Sequence, residues 1–257
     1  MAYDKAVDSA VLDANLKAIA DAIRSKTGST DLMSLDDMPT AIEGIQSGGG
    51  GATKPYIEEV YNSSGSLIKA YLFGYTKVRS NLFYNCSDLN MESLPSEITN
   101  IGENSFRGCN SLSLTELPSN IIRIEQYAFY NCSKLALTTL PPDMYQIEQS
   151  VFSGCSQLAL TDLPSGINAI MLNAFYNCSK LALTSLPSGL QTVGNYAFRN
   201  CTGLKTITFK GTPATLSSKA FTGCTNLTTI NVPWAEGAVE NAPWGATKAT
   251  INYNYTG

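Results

Sequence analysis

Seven cysteines, Cys86, Cys109, Cys132, Cys155, Cys178, Cys201 and Cys224, follow one another at intervals of 23 residues without a slip. Three positions before each stands a phenylalanine, from Phe83 to Phe221, and three positions after each a leucine, from Leu89 to Leu227. A fixed period of this length marks a solenoid, in which successive turns of chain stack and share one core. Residues 56–232 are therefore read as the array, and parallel stacking at ~4.8 Å makes seven coils a rod of about 30 Å.

Composition then removes whole classes of function. The chain has no histidine, which excludes Ser-His-Asp and Cys-His nucleophile pairs and His-based metal sites. It carries neither a GxxxxGK[ST] phosphate loop nor a GxSxG elbow. A net charge of −4 leaves no basic footprint for a nucleic acid. No apolar run reaches the ~20 residues a membrane span needs. The opening MAYDKAVDSAVLDANLK lacks the pattern of a secretory signal. The expectation is a protein without enzymatic activity, cofactor or metal, with no nucleic-acid partner and no membrane insertion.

One coil shows how the period is used. Between Cys132 and Cys155 come Leu135, Leu137, Leu140, Pro141, Met144, Ile147, Val151 and Phe152. This predicts a short strand over Leu135–Leu140, a proline turn, a second extended piece at Met144–Ile147, and a helical turn at Val151–Phe152. Proline lies nine residues after six of the seven cysteines, at Pro95, Pro118, Pro141, Pro164, Pro187 and Pro233, and ends the preceding strand because it offers no N–H. Only Asn or Gly precedes each cysteine: Asn85, Gly108, Asn131, Gly154, Asn177, Asn200 and Gly223. Both tolerate positive φ, so each coil turns a left-handed corner there. The Asn-Cys-Ser/Thr triplets that match a glycosylation pattern arise from that corner meeting the core cysteine.

The runs LPSEITNIGENSFRGC (94–109) and LPSGLQTVGNYAFRNC (186–201) resemble the BspA-like (treponemal-type) leucine-rich repeat family. The resemblance covers about 160 residues. It implies an α+β class, a right-handed leucine-rich-repeat solenoid of about seven 23-residue coils with short strands, and an association with surface adhesion. The last two coils depart from the pattern, since their middle apolar residue falls at Ile207 and Ile230, one place later than in the central coils.

Ahead of the array, Leu12, Leu16, Ile19 and Ile23 share one helical face, and Met38, Ile42 and Ile45 another. Neither helix is long enough to stand alone. Residues 1–47 thus form a small helical headpiece, either a cap or a docking and homo-oligomerising element. The glycine-rich linker of residues 48–55 favours docking, because a cap needs no hinge. Residues 14–28 (ANLKAIADAIRSKTG) and 38–45 (MPTAIEGI) are similar to a segment near the N-termini of phage and prophage tail- or baseplate-associated proteins.

Three readings of the cysteines stand side by side: a reduced buried ladder, disulfides, or a metal site. An odd number leaves at least one thiol unpaired. The absence of an export signal favours the reduced ladder.

Outside the core, equivalent positions form surface ladders. Two before each cysteine the order is Tyr84, Arg107, Tyr130, Ser153, Tyr176, Arg199, Thr222, with Tyr127 and Tyr196 five before theirs. Tyr and Arg are enriched at binding hot spots, although they could equally cover the rims of the turns. A threonine ladder, Thr115, Thr138, Thr161 and Thr184, reads as an exposed β-face. In residues 233–257 the period ends, and Trp234 and Trp244 serve either as a C-terminal cap with a final strand or as an aromatic ligand platform. The candidate ligand-binding residues are thus Tyr84, Arg107, Tyr127, Tyr130, Tyr176, Tyr196, Arg199, Trp234 and Trp244.

Together these expectations describe a receptor-binding or adhesive protein. Its solenoid meets a protein or glycan on a bacterial surface, and its N-terminal helices join a larger assembly, placing it in a virion tail. The alternative is a bacterial cell-surface adhesin or secreted interaction module. Without the tail-protein resemblance, the expected location is the cell surface or cytoplasm.

Overall fold

The computed structural model describes residues 55–213 and 215–256. The helices expected in residues 1–47 and the linker, apart from Pro55, lie outside them.

Before the first coil comes an element that the sequence pattern placed inside the array. β1 (Tyr56–Tyr61) and β2 (Leu67–Phe73) pair antiparallel. Asn62 builds the turn: its Oδ1 accepts the backbone N–H of Ser64 at 3.0 Å and of Ser66 at 2.9 Å. Gly65 supplies a φ of 81°. Ala70 and Leu72 join the core cluster of the coils, and the Asn90 N–H reaches the Ile68 carbonyl at 2.9 Å. The hairpin is a lid on the first coil.

The coils follow at the expected period. β3 (Lys77–Val78), β4 (Asn100–Ile101), β5 (Arg123–Ile124), β6 (Gln146–Ile147), β7 (Ala169–Ile170), β9 (Thr192–Val193) and β11 (Thr215–Leu216) occupy one flank. Their pairing is parallel and one coil apart, as in Asn100 with Arg123 and Ala169 with Thr192. The second residue of each is buried. With the terminal turn that ends in β13 (Thr250–Asn252), the right-handed solenoid has about eight turns, one more than the cysteines count.

Three local expectations need correction. The class is mostly β rather than α+β, for no helix occurs among the described residues. Val151–Phe152 lies in reverse turns: Val151 N–H bonds Glu148 O within its coil, while Phe152 N–H bonds Ala174 O of the next. Alternate donors leaving for the neighbouring coil prevent a helix from propagating. Finally, Leu135–Leu140 is not a strand. It exchanges one backbone bond with each neighbouring coil, Ala136 N–H to Leu114 O and Ala159 N–H to Leu137 O, both at 3.0 Å, because Pro141 follows at once and has no donor. Where proline is postponed to Pro213, β10 (Thr206–Phe209) forms and pairs with β8 (Ser185–Leu186) and β12 (Thr229–Asn231). Thr208 and Lys210 then supply the ladder donors.

The β3–β5 and β6–β11 flank is interrupted once. β5 and β6 belong to separate sheets, and the coil between them carries Pro141-Pro142, a pair found in no other coil. Side chains span this step: Arg123 meets Glu148 at 3.3 Å, and Gln149 Nε2 donates to the Tyr127 hydroxyl. The turn flank continues across it unbroken, with Tyr127, Phe129 and Asn131 N–H groups bonding Gln149, Val151 and Ser153.

Phe83, Phe106, Phe129, Phe152, Phe175, Phe198 and Phe221 are fully buried and stack ring on ring, with centroids 5.2–5.8 Å apart. Stacking adds about 0.5–1.5 kcal/mol per pair beyond burial itself. At the far end, Trp234 is 6% and Trp244 0% exposed. They meet edge to face at 6.1 Å, and Phe209 packs on both. The Phe221 N–H, which in earlier coils bonds the next coil, bonds the Trp244 carbonyl at 2.9 Å. Trp244 thus stands where a further coil would have been.

Candidate functional site

The seven corners before the cysteines all have positive φ, between 58° at Asn85 and 80° at Gly154. Asn and Gly are not interchangeable there. A Cβ on Gly154 would lie 2.2 Å from Asn131 Oδ1, and one on Gly108 2.4 Å from Asn85 Oδ1. The side chains of Asn85, Asn131 and Asn200 therefore rest in space that the next coil's glycine leaves open. Where asparagine follows asparagine, Asn200 Nδ2 donates to Asn177 Oδ1 at 2.9 Å.

Inside the corner, each thiol has one task. Cys109, Cys132, Cys155, Cys178, Cys201 and Cys224 direct Sγ to the phenylalanine carbonyl one coil back, at 2.9–3.1 Å. Burial pushes these thiols up, to about 12 for Cys109 and Cys224, so they stay protonated and donate. All seven are free, and among the described residues no group of three or more Cys, Asp or Glu is placed to hold a metal. Cys86, in the first coil, is only partly buried.

A second left-handed position, five residues before the cysteine, has no signal in the sequence pattern. Asn81, Asn104 and Asn173 occupy it, as do Ser150 (φ 51°), Tyr127 (φ 57°) and Tyr196 (φ 55°). Asparagine tolerates this region. A tyrosine there costs roughly 1–2 kcal/mol of backbone strain, and neither ring is part of the buried core.

Those two tyrosines are where the surface ladder gathers. The Arg107 guanidinium lies 4.9 Å from the Tyr130 ring centre, 5.4 Å from Tyr127 and 5.7 Å from Tyr84. Arg199 lies 4.9 Å from Tyr196 and 5.5 Å from Tyr176, with Lys219 a further 5.7 Å contact on Tyr196. The seven predicted ladder residues therefore resolve into two clusters. Between them Ser153, only 3% exposed, leaves a gap. Arg107 Nη1 donates to Asn104 Oδ1 at 3.2 Å, and Arg199 Nε is buried without a partner. Neither guanidinium has a carboxylate partner: among the described residues the ion pair is Arg123–Glu148.

Trp234 and Trp244 do not belong to this face. Their burial in the terminal cap, with Trp244 Nε1 donating to the Glu240 carbonyl at 2.8 Å, corrects their assignment as a ligand platform. Exposed Ile122, Tyr145, Met171 and Leu172 flank the strand side. No sequence signal separated them from core residues, since Ile and Met also fill the interior.

The model of the BspA type leucine rich repeat region matches residues 76–183 and 168–241, in six copies. The chain belongs to the BspA-type leucine-rich repeat family. Among solved structures, a leucine-rich repeat protein from Bacteroides ovatus is 27% identical over 68% of this chain and 46% of its own, with a TM-score of 0.50. The present chain thus spans less than half of that neighbour. A T. pallidum leucine rich repeat protein is 24% identical over 69% of this chain and 82% of its own, TM-score 0.41. A leucine rich cell surface protein from Faecalibacterium prausnitzii is 19% identical over 72% of each, TM-score 0.45. No curated protein matches the sequence.

Proposed function

We propose that this chain is a non-enzymatic binding module that recognises a bacterial surface through the tyrosine–arginine face of its solenoid. One observation carries the reading: Arg107 and Arg199 lie among tyrosine rings without carboxylate partners among the described residues, and two of those tyrosines occupy strained backbone that asparagine fills in other coils. Strain kept outside the buried core is a mark of a working surface. The likeness of residues 14–28 and 38–45 to phage and prophage tail proteins, and the glycine tether that follows, support display on a tail, with residues 1–47 docking or associating with further copies.

The test is binding of the purified full chain to intact bacterial cells. Tyr130→Ala with Tyr176→Ala should reduce cell binding at least tenfold while leaving the thermal melt within a few degrees. Undiminished binding by that variant sinks the role of the face. Antibody labelling of phage particles that locates the chain away from the tail sinks the display.

A further inference from the structure

We infer that the two tyrosine–arginine clusters form a paired site for an extended acidic glycan lying along the solenoid axis, a conclusion that rests on the tyrosine–arginine face being the contact surface. The first argument is spacing. Tyr84, Tyr130 and Tyr176 recur every second coil, ~9.6 Å apart at parallel-strand pitch. A linear chain of pyranose rings also advances by a fixed step along one direction, and aromatic rings offer the flat apolar face that a sugar ring covers. Most globular protein surfaces lack such a translational repeat.

The second argument is charge. Arg107 and Arg199 are four coils apart, ~19 Å. Tyrosine rings hold each guanidinium in place, and neither has an acidic partner among the described residues. A planar guanidinium with free N–H edges matches a carboxylate or phosphate oxygen pair. A neutral glycan would leave both cations without an anionic partner. An acidic one supplies the anion beside the ring that the tyrosine receives. Ser153, sunk between Tyr130 and Tyr176, lets the chain pass from one cluster to the other without a clash.

The experiment measures binding of the full chain to three immobilised linear polysaccharides: one carboxylate-bearing, one phosphate-bearing and one neutral. Binding to at least one acidic polymer should be tighter than to the neutral one by about tenfold or more. Which acidic polymer wins identifies the source of the anion. Arg107→Gln and Arg199→Gln should each weaken it about tenfold, and the double variant should lose more than either. Oligosaccharides too short to span both clusters should not show that additional loss, because linkage of two sites is what raises affinity. Equal binding of the neutral polymer, or indifference to both arginine changes, overturns the acidic assignment. If cells are still bound in a Tyr130- and Tyr176-dependent way, the contact face survives that failure. If neither cells nor polymers respond to any of the four residues, the face itself is wrong.

Discussion

The Cys155 thiol donates to the Phe129 carbonyl 3.1 Å away, one coil behind it, while the same carbonyl accepts the Cys132 backbone N–H at 3.1 Å. One oxygen thus joins two coils and closes a turn within one of them. Serine would be too short to fill the site and alanine has no proton to give. Cys155→Ala should cost about 1–3 kcal/mol, as a lost buried hydrogen bond plus a small void. Cys86→Ala should cost well under half as much, because no preceding coil offers Cys86 such a carbonyl. Urea denaturation of the two variants measures the difference.

Alkaline pH probes the same ladder. A buried thiol whose folded value lies above its ordinary 9.0 binds its proton longer in the folded than in the unfolded state. Its contribution is complete below pH 9 and falls as pH rises, at up to ~1.4 kcal/mol per pH unit for each such thiol. For Cys109 and Cys224 the loss runs from about 9 to about 12. Stability should therefore drop steeply over that window, and less steeply in Cys109→Ala. A slope identical in the variant would show that other groups dominate. Below pH 9 an alkylating reagent should label Cys86 first.

The phenylalanine column should respond by position. Phe152→Ala empties a site with a ring stacked on either side and should cost about 3–5 kcal/mol. Phe83→Ala removes one stacking neighbour rather than two and should cost less. In a linear array each coil is supported by its neighbours alone, so the central loss should also broaden the thermal transition, which calorimetry would detect.

Tyr127→Asn separates strain from contact. Asparagine occupies the equivalent left-handed position at Asn81, Asn104 and Asn173. The variant should hold or gain stability, by up to about 1 kcal/mol, yet weaken binding to cells. A clear loss of stability would mean that the ring supports the fold after all.

Gly154→Ala strains the backbone at φ 80° and brings a methyl to Asn131 Oδ1. A cost of about 2–3 kcal/mol is expected. Adding Asn131→Gly should recover only the steric part, giving a non-additive cycle.

Much of this was legible because the interior repeats. Phe and the Asn/Gly corner each satisfy one physical demand seven times and Cys does so six times, so a coincidence of three residue types sufficed. Leu135–Leu140 misled for a reason also present in the sequence: alternating apolar residues signal a strand, but Pro141 removes the donor that would have joined it to the ladder. The lid at Tyr56–Phe73 was hidden because it occurs once and has no period to betray it. Tyr127 and Tyr196 stand out as neighbours of the ladder. Their backbone strain does not, since tyrosine carries no mark of left-handed geometry. What draws Arg107 between three rings is a matter of distance, and sequence records only order.

The strand pairing missing between β5 and β6 makes the two flanks of the solenoid unequal. The turn flank runs unbroken along the stacked rings and thiols, whereas the strand flank is cut once. Arg107 precedes that cut in the chain and Arg199 follows it. The register between the two clusters is consequently carried by the turns and the phenylalanine column, not by one continuous strand ladder.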